Sequence, residues 1–89
     1  MKTLTPASLN LLLNLIADSG NWSNMPMLDL SPSEKGNYTD LKKHGLVKSH
    51  RDEGIDWCNF KFTTGTIVTD GTRTFILEDH GDFSESRVA

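Results

Sequence analysis

The chain has 89 residues, 36% of them hydrophobic and 24% charged, and carries a formal net charge of −3. That length suits one domain with a compact core rather than two, and the balance of apolar and charged residues excludes an intrinsically disordered chain. Apolar runs such as Leu11–Leu13 fall far short of the roughly 20 residues that cross a membrane, so no membrane partner is expected.

The N-terminal stretch Met1-Lys2-Thr3-Leu4-Thr5-Pro6 has one positive charge and no apolar run leading to a small-residue cleavage site, so no secretory signal is expected. Cys58 is the single cysteine. It allows no internal disulfide and fits a reducing compartment, hence an expected cytoplasmic location. An acidic chain taken whole argues against nonspecific nucleic-acid binding, but the charge is unevenly spread. Residues 1–33 carry a net −1, residues 34–51 a net +3 and residues 52–89 a net −5. One short basic segment therefore lies between acidic flanks.

In chain order, the first element reads as a helix. Thr5 is a good N-cap and Pro6 suits the first helical turn. Leu9, Leu12, Leu13, Ile16 and Ala17 recur at three- and four-residue spacing, and Leu11 and Leu15 widen the stripe, which predicts packing on more than one side. Gly20 supplies the stop. Residues 21–30 have no helical rhythm and Pro26 breaks any helix there; they read as a loop packed down by Trp22, Met27, Leu28 and Leu30. The second helix begins at a capping box, Ser31-Pro32-Ser33-Glu34, and runs to His44, with Gly45 as its stop. Its apolar positions are few, mainly Tyr38 and Leu41, followed by Leu46 and Val47.

A β-hairpin follows. Leu46–Arg51 is strand-like, Asp52-Glu53-Gly54 is the turn, and Ile55–Thr63 returns with Cys58, Phe60 and Phe62 on the expected core face. Residues 66–77 allow two readings. Asp70-Gly71 between β-branched flanks predicts a second hairpin with a type I′ turn; the alternative is a closing helix with Ile67, Val68, Gly71, Phe75 and Ile76 on one side. The domain is expected to span residues 1–80, with 81–89 a flexible acidic tail.

The order of helix, capped polar helix, Gly-Leu-Val, charged hairpin and aromatic strand predicts an α+β fold and resembles a winged helix-turn-helix. Thr39–Val47 looks like the end of a recognition helix entering the wing in MarR-type families. Asp52-Glu53-Gly54 and Phe60–Gly65 resemble the wing turn and its closing strand. Gly20-Asn21-Trp22-Ser23 and Lys35-Gly36-Asn37 are similar to small phage-encoded domains of this shape. The resemblance covers roughly residues 5–65. Residues 21–30 leave little room for the helix that normally precedes the recognition helix, so an abbreviated form of the motif falls within the expectation.

The resemblance implies a small DNA-binding transcriptional regulator. The candidate DNA-contacting residues are Lys35, Asn37, Thr39, Lys42 and Lys43 on the second helix, with Lys48, His50 and Arg51 on the hairpin. A helix in the major groove can read base edges with side chains such as asparagine, while lysine and arginine neutralise phosphates. A homodimer would present two such helices, although no clear dimer helix is apparent. The bland alternative makes Lys42 and Lys43 a solvated helix end, favoured by the helix dipole. The acidic wing tip, Asp52 and Glu53, and Asp40 within the helix count against a grip on phosphate. The rival reading is a phage-type protein-interaction module that binds a host protein through its acidic half, with Trp57 as an aromatic anchor.

No catalytic constellation is present, so an enzyme is not expected. His44, His50 and His80 do not match a compact zinc site, nothing local activates Cys58, and no cofactor is implied.

Overall fold

The computed structural model describes residues 1–19, 28, 30–63, 65–77 and 83–86. Two helices and two β-sheets form a small α+β fold: β1 (Lys2–Thr3), α1 (Pro6–Ser19), α2 (Pro32–Lys43), β2 (Val47–Asp52), β3 (Ile55–Phe60), β4 (Thr66–Thr69), β5 (Thr74–Leu77) and β6 (Phe83–Ser86). β2 and β3 make one two-stranded sheet; the other has the order β1-β4-β5-β6.

α1 starts where its cap predicts. Thr5 Oγ1 accepts the Ser8 backbone N–H at 3.1 Å and donates to Ser8 Oγ at 3.0 Å. Ser8, Leu9, Leu11, Leu12, Leu15 and Ile16 are buried, Leu13 is half-buried and Ala17 is exposed. The apolar stripe is thus as wide as Leu11 and Leu15 imply, but it closes before Ala17.

Leu28 and Leu30 pack against the core as partly buried side chains. Leu28 also donates its N–H to the Asp56 carbonyl on β3 at 2.8 Å, one strand-like bond on the free side of the hairpin. Trp22 and Met27 lie outside the described residues.

α2 carries the full capping box. Ser31 Oγ accepts the Glu34 N–H at 3.3 Å, and the Ser31 N–H donates to Glu34 Oε1 at 3.0 Å. These reciprocal bonds satisfy two backbone donors that a helix start leaves without partners. The helix buries only Tyr38 and Leu41. Gly45 ends it at φ 72°, and the Leu46 N–H returns to the Leu41 carbonyl at 3.1 Å.

The first hairpin turns on two residues in the left-handed region, Glu53 at φ 53° and Gly54 at φ 76°. That is the type I′ pattern, whose twist matches the flanking strands. The register pairs Val47 with Phe60 and Asp52 with Ile55, and regular pairing stops at Phe60 rather than continuing to Thr63. One bond beyond the strands, Lys61 N–H to the Leu46 carbonyl at 2.8 Å, extends the ladder.

Residues 66–77 form a hairpin, and the helical alternative is excluded: β4 and β5 pair antiparallel with Val68 opposite Phe75. The connection is not the tight type I′ turn that Asp70-Gly71 suggests. Four residues, 70–73, loop between the strands, because the Asp70 carboxylate accepts the backbone N–H groups of Thr72 at 2.9 Å and Arg73 at 2.7 Å. Such local side-chain bonds compete with tighter turn geometry. Arg73 also bonds the Asp70 carboxylate and, at 2.7 Å, the side-chain oxygen of Asn10 on α1.

Two pairings lie outside the sequence reading. β1 pairs parallel with β4, placing Lys2 opposite Val68, and the Leu4 N–H continues the ladder to the Thr69 carbonyl at 2.8 Å. Residues 83–86, within the stretch expected as an acidic tail, form β6 and pair antiparallel with β5. The core joins both sheets to both helices through Leu4, Leu9, Leu12, Leu41, Leu46, Cys58, Val68 and Leu77, among other residues.

Candidate nucleic-acid interface

The outer surface of α2 follows from helical arithmetic. Successive residues advance by about 100° around the axis. Lys35, Thr39, Lys42 and Lys43 then share an arc of about 100°, whereas Asn37 falls about 120° from the nearest of them. Burial agrees: Lys35, Thr39, Lys42 and Lys43 are exposed, and Asn37 is half-buried. The five helix candidates therefore divide into a basic face of four and Asn37 on a different side.

Within that face, Lys42 Nζ sits 5.6 Å from the centre of the Tyr38 ring, so its stem is steered by a cation–π contact one turn back. Thr39 Oγ1 donates to the Lys35 carbonyl at 3.0 Å and so is partly occupied by the helix itself. The ion pairs among the described residues leave Lys35, Lys42 and Lys43 without acidic partners. Asp40 lies outside the basic arc, its carboxylate 3.6 Å from His44 Nε2.

The hairpin candidates separate by the period of two in a β-strand. The register places Val47, Ser49, Arg51, Asp56, Cys58 and Phe60 on one face, and Lys48, His50, Asp52, Ile55, Trp57 and Asn59 on the other. α2 packs on the first face through Tyr38, whose phenol interacts with Ser49 and Cys58. Arg51 is thus on the α2 side, while Lys48 and His50 project from the opposite side. The eight candidates form no single surface.

Arg51 is also engaged: its Nε lies 3.2 Å from Asp56 Oδ1, with both side chains at least half exposed. A pair this open to water is worth about 0–1 kcal/mol, so exchanging Asp56 for a phosphate oxygen costs little. On the far face, Asn59 Nδ2 meets His50 Nδ1 at 3.0 Å, which fixes the imidazole beside the half-buried Trp57.

Tyr38 anchors the basic helix to the hairpin. Among the described residues its Oη is buried without a hydrogen-bond partner of good geometry, although the Ser49 hydroxyl and Cys58 thiol lie close enough to influence it. Burial, above all, pushes its pKa above the ordinary phenol range, making it a weaker acid; Ser49 opposes this and Cys58 adds to it. Burial also raises the Cys58 thiol above its usual value, with Tyr38 opposing. A buried, protonated thiol is a poor nucleophile.

Among the described residues, no group of three or more His, Cys, Asp or Glu side chains is placed to hold a metal ion. His80 lies outside those residues. No described helix is long and apolar enough to cross a membrane.

The Tyr38 platform under Lys42, the Asp56 partner of Arg51 and the Asn59 clamp on His50 escaped the sequence reading. Strand parity could have separated Arg51 from Lys48; the other contacts needed register and packing. No protein-family model matches the chain, and neither a curated protein nor a solved structure is significantly similar to it.

Proposed function

We propose that the chain is a small DNA-binding regulator with an abbreviated winged-helix layout, contacting duplex DNA through the outer face of α2. The observation that carries this reading is the arc of Lys35, Thr39, Lys42 and Lys43, exposed and, among the described residues, without acidic partners on an otherwise acidic chain. α2 precedes a type I′ hairpin as a recognition helix precedes its wing. The Leu28 N–H bond to the Asp56 carbonyl lies on the β3 edge where that layout places a further short strand. The lysines neutralise phosphates and Thr39 faces the groove, while Arg51 at the near side of the hairpin meets the flanking backbone. Lys48, His50 and Asn37 have no part in this contact.

The test is fluorescence anisotropy with random duplex DNA over a salt series. Four phosphate contacts predict a log–log salt slope of about −3.6. The double variant Lys42→Glu, Lys43→Glu should fold normally and lose at least about two from that slope. Unchanged binding by the folded double variant removes α2 from the contact.

A second reading has its own observation. Ile55 is 37% exposed beside the half-buried Trp57 on the hairpin face turned away from α2. Those side chains, next to acidic Asp52 and Glu53, suit a protein partner with a basic rim, such as a host factor bound by a phage-type module. Absence of DNA binding at low salt, together with Trp57→Ala abolishing capture of a specific protein, favours that reading.

A further inference from the structure

A recess of about 250 Å³ opens between α2, the hairpin and the segment leading into α2, lined by Leu28, Leu30, Lys35, Tyr38, Ser49 and Asp56. Its walls differ in chemistry. Leu28 and Leu30 form an apolar side backed by the core. Lys35 brings an ammonium group from the helix, and Asp56 brings a carboxylate from β3. Arg51 Nε lies 3.2 Å from Asp56 Oδ1 in the ion pair. The Asp56 main-chain carbonyl holds Leu28 in place, which ties the acidic and apolar walls together. The Ser49 hydroxyl is exposed between them and the Tyr38 ring closes the helix side.

We propose that this recess binds a small zwitterion, an α-amino acid with an apolar side chain. Its carboxylate pairs with Lys35, its ammonium with Asp56, and its side chain lies on Leu28 and Leu30. The charges decide the class. A simple organic anion meets the Asp56 carboxylate, a simple amine meets Lys35 and Arg51, and a neutral apolar molecule gains only from the leucine wall. A zwitterion satisfies both charged walls at once, and charge-assisted hydrogen bonds are the strong ones. The site stands on the recess and not on DNA binding; Lys35 is the one residue the two share.

The experiment is an amide NMR titration of the full chain, free of DNA, with L-leucine, L-leucinamide and isocaproate. Leucine should give saturable shifts at Leu28, Lys35, Ser49 and Asp56, in the millimolar range or tighter as befits a ligand of so few atoms. Leucinamide, lacking the carboxylate, and isocaproate, lacking the ammonium, should each bind about tenfold more weakly, the value of one lost charge-assisted contact. Lys35→Ala and Asp56→Asn, both surface changes that leave the fold intact, should each weaken leucine by a similar factor. Arg51→Gln should preserve binding, since it frees Asp56 Oδ1. The proposal is overturned by leucine shifts that do not saturate, by equal affinity for the three compounds, or by full affinity in the Lys35 and Asp56 variants.

Discussion

The two helices begin alike and are used differently. Each has a hydroxyl N-cap followed by proline, Thr5-Pro6 and Ser31-Pro32. α1 then buries Ser8, Leu9, Leu11, Leu12, Leu15 and Ile16, whereas α2 buries only Tyr38 and Leu41. A helix held on many sides contributes core and little surface. A helix held by two side chains and a cap keeps most of its circumference free for other molecules, at the cost of resting on few contacts. The basic arc exists because α2 is anchored so narrowly.

The sharpest way to break that contrast is to cut one core leucine from each helix. Leu12 and Leu41 are both fully buried at 0% exposure. Leu12→Ala and Leu41→Ala should each lower stability by about 2–5 kcal/mol, by lost transfer energy and the cavity left behind. Urea denaturation measures both. A loss under about 1 kcal/mol for Leu41 would show that α2 can collapse onto the hairpin without it.

Smaller effects probe the cap. Ser31→Ala should cost about 1 kcal/mol, with the loss confined to α2 amides in hydrogen exchange. Thr5 on α1 offers the control. Thr5→Ala costs a similar amount, but amide protection of α1 should persist because its core contacts hold it. Equal fraying of the two helices would contradict the narrow anchoring of α2.

The hairpin that α2 rests on carries a removable strain. Glu53 occupies the left-handed region at φ 53°, where a non-glycine residue is disfavoured. Asn or Gly there suits a type I′ turn. Glu53→Asn should therefore raise the urea midpoint, by up to about 1 kcal/mol of stability. An unchanged midpoint would mean that the turn relaxes freely in the native state.

The smallest expected effect is on pH. The Ser31 backbone N–H, and then its hydroxyl, hold the Glu34 carboxyl below its ordinary value. A carboxyl depressed in the folded state stabilises at pH above its unfolded pKa, and that contribution is lost as pH falls through the folded value. Acidification through the glutamate range should thus loosen the first turn of α2, and Glu34→Gln should remove that pH dependence from the α2 amides. A titration unchanged by Glu34→Gln would assign the acid sensitivity to another group, the first candidate being Asp70. Its carboxyl is lowered by the Arg73 and Thr72 backbone N–H groups, then by the Arg73 side chain.

Much of this architecture was legible because its signals are local. A hydroxyl–proline cap, a three-and-four-residue leucine rhythm, a glycine after the last turn and an Asp-Glu-Gly break each act within a few residues. They determine that two helices and two hairpins form, and that α2 is polar. The four-residue loop at Asp70 shows the limit of such signals, since the same Asp-Gly pair fits a tight turn until its carboxylate is claimed by Thr72 and Arg73. The candidate site divides in the same way. Its charged residues are written in the chain, but whether Lys48 and Arg51 share a face depends on strand parity. That α2 lies on the Arg51 side depends on Tyr38 packing against Ser49 and Cys58. The parallel pairing of Lys2–Thr3 with Val68–Thr69, the reach of Arg73 to Asn10 and the recess between Lys35 and Asp56 join residues far apart in the chain. No local pattern encodes such contacts, because they form only when burial of the shared core brings the elements together.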